Sequence, residues 1–405
     1  MFNSIQFFGF VLLGGLLSGE IARRLAKLPR TTGYVLFGML VGQSGFNWVS
    51  APHVESAQLF IDLALGLILF ELGHQVPAVT RNEALVRLRA GTAIALASGG
   101  LVLAWFLYLQ MPAGIALFAA ALCLATSPAI TIATCSDVGA KGERTGLLYT
   151  LVAINGAIAF AIVMIILPFV DDSEAIGIFG RLATAVGGII GSLLLGGACA
   201  AVVLLGARRL ERQAEHQHLL ILGAIVLGVG TAIHLDISVF LPMLVFGILV
   251  RAFDSDSKVV AIRIASDARV FLVITFVLAG ASLDISHLFS YWREALVIAL
   301  ARFVGQWAAT WQCRKGLDLN LRESLLLGIG LQPMSSVALV LLVNTQMLHN
   351  QLSPDLVGML MATILLMQLL GPLATQTAIV GFGEATRLQT RKPADQTATY
   401  RQGAS

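Results

Sequence analysis

The sequence predicts an all-α membrane protein with about thirteen transmembrane helices, on three observations. The 405 residues are 57% hydrophobic and only 12% charged, with a mean hydropathy of +0.85, whereas soluble domains are about 25% charged. The apolar residues form segments of roughly 20, the length at which a helix crosses a bilayer. Lysine and arginine are concentrated in every second connection between these segments. Together the patterns exclude a soluble globular enzyme, a disordered chain and a fibrous protein.

The predicted spans follow from apolar segments taken in chain order. They cover about 4–22, 32–48, 57–77, 90–110, 113–135, 145–170, 178–206, 217–234, 237–252, 269–284, 290–311, 322–346 and 354–380. The first segment is interpreted as a true span because its basic residues follow it, whereas a signal peptide has them in front.

The basic residues predict the orientation of the chain in the membrane. Of the 26 lysines and arginines, all but Arg181, Arg293 and Arg302 lie in alternate connections or in the C-terminal tail. Cationic loops stay on the cytoplasmic side. The N-terminus is therefore expected outside and the tail inside a cell inner (plasma) membrane, as an odd number of spans requires.

Internal similarity predicts an inverted repeat. Residues 33–41 are echoed by 240–248, and 64–73 more loosely by 273–283, seven spans later. An odd offset turns the second copy over in the membrane, an arrangement typical of transporters. We expect one transporter unit over 1–383, with repeats at about 1–170 and 217–380, a linking helix at 178–206, and a short polar tail at 384–405.

Two proline-containing interruptions lie at matching places in the repeats. Span five contains Thr126-Ser127-Pro128 and span twelve contains Gln332-Pro333, followed by Ser335 and Ser336. Proline removes a backbone donor, and an interrupted helix within a bilayer must line protein or a watery cavity. Freed carbonyls and nearby hydroxyls suit a hard cation. A purely structural kink in each span is the alternative interpretation.

At this point the chain resembles the cation:proton antiporter superfamily, the sodium/proton and potassium/proton exchangers, over about residues 5–380. The stretches that carry the resemblance are residues 28–34, 66–70, 125–128, 139–143, 282–284 and 322–328. The resemblance implies two crossed, discontinuous helices (spans five and twelve) in a core that moves like an elevator against a dimer-forming domain. It also implies exchange of Na⁺ or K⁺ for protons by a homodimer.

One departure from the family pattern concerns the acidic group. The family carries Asn-Asp or Asp-Asp on the helix after the first crossed helix, and here the matching pair is Asn155 and Gly156. An amide oxygen can bind a cation, but an amide does not exchange a proton near neutral pH. The alternative function is therefore transport of a different solute on the same fold, without the standard proton coupling.

Other intramembrane charged residues supply the remaining candidates. Arg302 lies in the middle of span eleven, where the family often has a basic residue that supports the unwound helices. Glu71 and Asp62 in span three are possible proton carriers, since buried ionisable groups in membranes are functional hypotheses by default. The predicted ion-binding residues are Thr126, Ser127, Pro128, Asn155, Gly156, Gln332, Pro333 and Ser335.

Several classes of function lack a sequence signal. The four cysteines have neither metal-ligand nor redox spacing, and the net charge of +3 indicates no nucleic-acid partner. No phosphate-binding loop or hydrolase motif is present. We expect no enzyme activity, no cofactor and no metal beyond the transported cation; the expected partners are that cation, protons, the lipid bilayer and a second copy of the chain.

Overall fold

The computed structural model describes residues 4–49, 57–170, 177–209, 214–254, 264–335, 337–339, 341–342, 345 and 352–386. Within these ranges the chain is all-helical, and its extended pairings are two isolated antiparallel bridges. The all-helical prediction is therefore confirmed.

The helices follow the apolar segments of the sequence. The first eight are α1 (Ser4–Leu25), α2 (Arg30–Val41), α3 (Gln58–Gln75), α4 (Arg81–Tyr108), α5 (Ala113–Leu124), α6 (Pro128–Val138), α7 (Glu143–Val170) and α8 (Ile178–Arg209). The others are α9 (Ala214–His234), α10 (Phe240–Phe253), α11 (Ile264–Ala281), α12 (Ile285–Ser290), α13 (Trp292–Cys313), α14 (Leu321–Gly330) and α15 (Pro354–Phe382).

Many of these helices have the length and composition of membrane spans. Among the described residues, α4, α7, α8, α9 and α15 are long and apolar enough to cross a bilayer, and α5, α10 and part of α11 are shorter apolar helices. Span two is shorter than the sequence predicts. Its helix ends at Val41 rather than near residue 48, because the chain turns through Gly42 and places Asn47 at a left-handed φ of 54°. The count of thirteen spans remains a prediction.

The helices pack in two groups. In the first, which we call the scaffold, α1, α2, α3, α8, α9, α10 and α11 pack mainly against one another. In the second, which we call the core, α4 to α7 and α12 to α15 do the same. The groups meet where α6 and α7 contact α2, α3, α10 and α11, where α7 contacts α8, and where α15 contacts α2. The boundary between the two groups runs along α6 and α7, the helices that follow the first proline-containing interruption.

Glycines allow two helices of the scaffold, α3 and α10, to pack closely. A Cβ added at Gly73 of α3 would lie 2.4 Å from the carbonyl oxygen of Leu244, and one added at Gly247 of α10 would lie 2.2 Å from that of Phe70. Such spacing brings the two backbones into direct contact, as small residues do between membrane helices. This contact fixes α3, which carries Glu71 and Asp62.

The end of α15 folds back on the start of α7. Glycine at position 383 takes a left-handed φ of 78° and ends α15. The carboxylate of Glu384 then accepts hydrogen bonds from the backbone nitrogens of Arg144 (2.9 Å) and Thr145 (2.7 Å) and from the Thr145 hydroxyl (2.5 Å). These nitrogens belong to the first turn of α7, whose donors have no partner within the helix. A residue 240 positions away therefore caps the helix that carries Asn155 and Gly156.

Candidate functional site

The first interruption separates α5 from α6 over residues 125–127. The Ser127 hydroxyl accepts a hydrogen bond from the backbone nitrogen of Ile130 (3.2 Å), and Pro128 is the first residue of α6. Serine at the N-cap and proline at N1 are the residues that start a helix, because the cap supplies an acceptor and proline has no donor to leave unpaired. The predicted break is therefore the precise start of a second half-helix rather than a bend.

The second interruption follows Gly330, the last residue of α14, and pairs with the first. The backbone nitrogen of Ser127 donates to the carbonyl oxygen of Pro333, and that of Ser335 donates to Ala125, each at 2.9 Å. Thr126 and Met334 lie opposite each other in this antiparallel pairing. Each interruption thus supplies hydrogen-bond partners for the backbone of the other, as non-helical backbone within a bilayer requires. We call these paired residues, 125–127 and 331–335, the crossing. Ser336 lies outside the described residues.

Arg302 and Gln306 of α13 hold the second interruption in place by hydrogen bonds to its backbone. The fully buried Arg302 donates from Nη1 to the Gln332 carbonyl oxygen at 2.9 Å. One turn later, Gln306 Nε2 donates to the Leu331 carbonyl at 3.3 Å, and its Oε1 accepts from Gln332 Nε2 at 2.6 Å. The Gln332 side chain thus helps to stabilise the second interruption through its hydrogen bond to Gln306. Arg302 was predicted from the sequence and Gln306 was not, although a glutamine one turn from an intramembrane arginine is itself a signal.

Several buried polar atoms of the predicted site residues and of Arg302 have no protein partner among the described residues. These are Thr126 Oγ1, both polar atoms of the Asn155 side chain, and Nε and Nη2 of Arg302. Arg302 also makes no ion pair within the described part of the chain. Buried polar atoms of this kind cost free energy unless water or a ligand satisfies them. Thr126 and Asn155 therefore have a hydroxyl oxygen and an amide oxygen without a partner among the described residues.

Position 156 is filled by an aromatic ring from the scaffold. A Cβ on Gly156 would lie 2.5 Å from Cζ of Phe240, the first residue of α10. Phe240 is fully buried and stacks on Phe160 of α7, with ring centroids 4.1 Å apart. No space is left where the side chain of an aspartate would lie, because the Phe240 ring of the scaffold packs against the core there. Phe240 was not predicted from the sequence.

Glu71 of α3 also lies at the boundary between the scaffold and the core, near the part of α7 that precedes Gly156. Tyr149 of α7 interacts electrostatically with Glu71 and hydrogen-bonds the Cys135 thiol of α6. Tyr149 and Gly156 are seven residues apart, which places them on one face of α7 about 10 Å from each other. The Glu71 carboxylate is 5% exposed and accepts a hydrogen bond from Gln75 Nε2 at 2.7 Å. Among the described residues, it is the only carboxylate less than a tenth exposed.

Asp62 lies apart from Glu71, beside a cavity of about 270 Å³ between the scaffold and the core. The cavity reaches Ala129 in the first turn of α6, and the unpartnered Thr275 hydroxyl lines its wall. Asp62 is partly exposed and accepts a hydrogen bond from Gln58 Nε2 at 3.0 Å. Asp62 thus lines a cavity that also reaches the first turn of α6, and Glu71 lies elsewhere on the boundary between the scaffold and the core.

A cavity of about 260 Å³ meets the later part of α6, at Ile132, Ala133, Ser136 and Asp137. The two cavities therefore contact successive parts of one half-helix. The described residues contain no group of three or more His, Cys, Asp or Glu side chains that could hold a metal ion.

Comparison with known proteins identifies the relatives of this architecture. The family model for the transmembrane sodium/hydrogen exchanger matches residues 9–380. No curated protein matches the chain. Two structures of the sodium proton antiporter MjNhaP1 from Methanocaldococcus jannaschii are similar to it. One, determined at pH 8, is 20% identical over 95% of this chain and 97% of that chain, with a TM-score of 0.60. The other, from electron microscopy, is 21% identical over 96% and 99%, with a TM-score of 0.69.

Proposed function

Because the chain belongs to the transmembrane sodium/hydrogen exchanger family, we propose that it exchanges a monovalent cation, Na⁺ or K⁺, for protons. The family consists of multi-pass membrane transporters, not enzymes. The proposal extends to the sites: the cation is bound at the crossing by Thr126, Ser127, Asn155 and the backbone near Pro333. Pro128, Gln332 and Ser335 shape the interruptions, with Arg302 as the supporting charge.

The proton is carried by Glu71. This assignment rests on one observation, that Glu71 is the only deeply buried carboxylate in the described part of the chain. An exchanger needs a group that releases a proton when the cation binds, and neither glycine nor asparagine has one near neutral pH. Glu71 also interacts electrostatically with Tyr149, which lies on the same face of α7 as Gly156.

Transport proceeds by movement of the core against the scaffold. Two observations support this mechanism: the helices form two packing groups, and cavities contact α6 at both of its ends. Rigid-body movement of one group around a fixed site is a common route to alternating access. We further propose that the protein works as a homodimer in a cell inner membrane, with its N-terminus outside and its C-terminus in the cytoplasm, on the distribution of basic residues.

Proteoliposomes test the proposed activity. Purified protein is reconstituted with an acidic interior and a pH-sensitive dye inside, and Na⁺, K⁺ and Li⁺ are added outside in turn. We expect internal alkalinisation that saturates with at least one of these cations. Protein-free liposomes and an Arg302→Met variant serve as controls. An absence of alkalinisation with every cation, from protein that is folded and correctly incorporated, would contradict cation/proton exchange.

A further inference from the structure

The 260 Å³ cavity beside the later part of α6 contains a second group of charged residues. Its core wall includes Asp137, in the last turn of α6. Its scaffold wall includes Arg30 and Thr31, at the start of α2. These residues lie at the end of α6 next to the basic connection that contains Lys141, so the cavity belongs to the side expected to face the cytoplasm.

Arg30 bridges the two packing groups across this cavity. Its Nη1 lies 3.1 Å from Oδ1 of Asp137 in the core. Its Nη2 and Nε lie 3.0 Å and 3.3 Å from Oε2 of Glu20 in the scaffold. Arg30 therefore has two hydrogen bonds to its own group and one to the other. The bond to Asp137 is the one that a movement of the core would break.

The two carboxylates differ in how well they are neutralised. Glu20 also binds Arg23 at 2.5 Å and Arg24 at 2.6 Å, so it keeps two cationic partners without Arg30. For Asp137 the one ion pair with a described residue is that with Arg30. Loss of the Arg30 charge would thus leave Glu20 paired and Asp137 free to take another cation.

Thr31 supplies a second oxygen to the same cavity. Its side chain is 1% exposed, lines the cavity, and its hydroxyl has no partner among the described residues. A buried hydroxyl without a partner is uncommon and needs an explanation. Carboxylate and hydroxyl oxygens are ligands for hard cations. The cavity is also large enough for several water molecules, so a cation can keep part of its hydration there.

We propose that Asp137 and Thr31 form a vestibule site for a monovalent cation, and that Arg30 occupies it as a tethered competitor in this conformation. The site deepens the proposed function, because the ion it takes is the one exchanged at the crossing. When cargo replaces Arg30 on Asp137, the scaffold and the core lose an ion pair between them. Cation arrival thereby loosens the contact that holds α6 against α2.

Equilibrium binding tests the vestibule site without relying on transport. Radioactive Na⁺ and Rb⁺ (the latter as a K⁺ analogue) are measured on the purified full chain by scintillation proximity. We expect Arg30→Gln to bind one of these ions about two- to fivefold more tightly than the wild type, the range that release of a part-exposed ion pair predicts. Asp137→Asn, added to Arg30→Gln, should remove that gain. Arg24→Gln, which changes a second partner of Glu20 away from the cavity, is the matched control and should bind as the wild type does.

The outcomes separate this proposal from the proposed function. Unchanged binding by Arg30→Gln, or a gain that persists in the double variant, overturns the vestibule site even if the liposomes show exchange. The expected binding pattern in a protein without cation/proton flux supports the vestibule site and contradicts exchange. Arg30→Lys covers the case in which the glutamine variant fails to fold. Lysine keeps the charge but lacks the planar fork that reaches both acids, so it should compete less well for Asp137. Its affinity for the cation should therefore exceed that of the wild type, and wild-type affinity in folded Arg30→Lys would overturn the site.

Discussion

The ring of Phe240 occupies the space that a side chain at position 156 would need, with its Cζ 2.5 Å from the place of a Cβ on Gly156. The family resemblance leads to an expected aspartate at this position, and the chain has instead a glycine in the core and a phenylalanine in the scaffold. The pair is complementary, since a smaller residue on one side receives a larger one from the other. An aspartate at position 156 therefore requires the Phe240 ring to move.

We predict that Gly156→Asp destabilises the protein. The new side chain must displace the Phe240 ring, and overpacking of a buried contact costs about 1–3 kcal/mol before the burial of a charge is counted. The melting temperature in detergent should fall by several degrees. Phe240→Ala removes a buried ring and itself costs about 3–5 kcal/mol, so the contact is tested by the coupling between the two changes. Gly156→Asp should lower the melting temperature less in the Phe240→Ala background than in the wild type. Gly156→Ala should show a smaller effect that the same background also reduces. A wild-type melting temperature for Gly156→Asp alone would contradict the contact.

Arg302 should be needed for transport. Arg302→Met removes the donor to the Gln332 carbonyl and leaves a buried acceptor unsatisfied, which costs about 1–3 kcal/mol. We expect the maximal transport rate to fall by at least about tenfold, because the second interruption loses its position. Arg302→Lys should recover only part of the rate, since lysine lacks the planar fork. Arg314→Gln, at the exposed end of the same helix, is the control; equal effects of the changes at 302 and 314 would refute the role of Arg302.

The cap that Glu384 places on α7 predicts a sharp boundary for truncation. A chain ending at residue 386 keeps the three hydrogen bonds to the first turn of α7, whereas a chain ending at 383 loses them. Loss of an N-terminal cap costs about 0.5–2 kcal/mol. The shorter chain should melt at a lower temperature than the longer one, and Glu384→Ala in the full chain should reproduce that difference. Identical melting of all three proteins would show that the cap contributes no stability.

The expected orientation predicts which loops react from outside the cell. Ala113 lies at the exposed start of α5 and Lys315 in the exposed turn after α13, on opposite sides of the membrane by the distribution of basic residues. In intact cells a membrane-impermeant maleimide should label Ala113→Cys and leave Lys315→Cys unlabelled, and everted vesicles should reverse the result. Cys123, Cys135 and Cys199 are buried, whereas Cys313 is partly exposed, so both variants are made in a Cys313→Ser background and that background protein is the control. The opposite pattern would invert the topology.

The positions of the two interruptions could be predicted from the sequence because proline changes the hydrogen bonding of the backbone where it stands. Pro128 lacks a backbone donor wherever it stands, and Ser127 before it supplies the acceptor that starts a helix. Arg302 was predictable for a similar reason, since a charge in an apolar segment demands a partner. The identity of that partner, a carbonyl oxygen at Gln332, depends on the packing of α13 against α14, which the apolar pattern does not specify.

The contact between Gly156 and Phe240 could not be predicted from either residue alone. A glycine in a helix indicates that something approaches closely, but 84 positions separate it from the ring that does so. The Arg30–Asp137 pair has the same origin, since residues 107 positions apart meet only when the core is placed against the scaffold. The sequence therefore predicts features within single helices well, and the structure is needed for contacts between the two packing groups.

The most direct test of the proposed function is proton-coupled cation exchange by the Glu71→Gln variant, in the liposome assay with the cation that drives the wild type. Glutamine keeps the shape and the hydrogen-bonding capacity of the side chain but binds no exchangeable proton near neutral pH. The matched control is Glu83→Gln, which changes an exposed carboxylate at the start of α4. We expect Glu71→Gln to lose cation-driven alkalinisation and Glu83→Gln to retain it. Wild-type alkalinisation by folded Glu71→Gln would contradict the account, because the proton would then travel on another group.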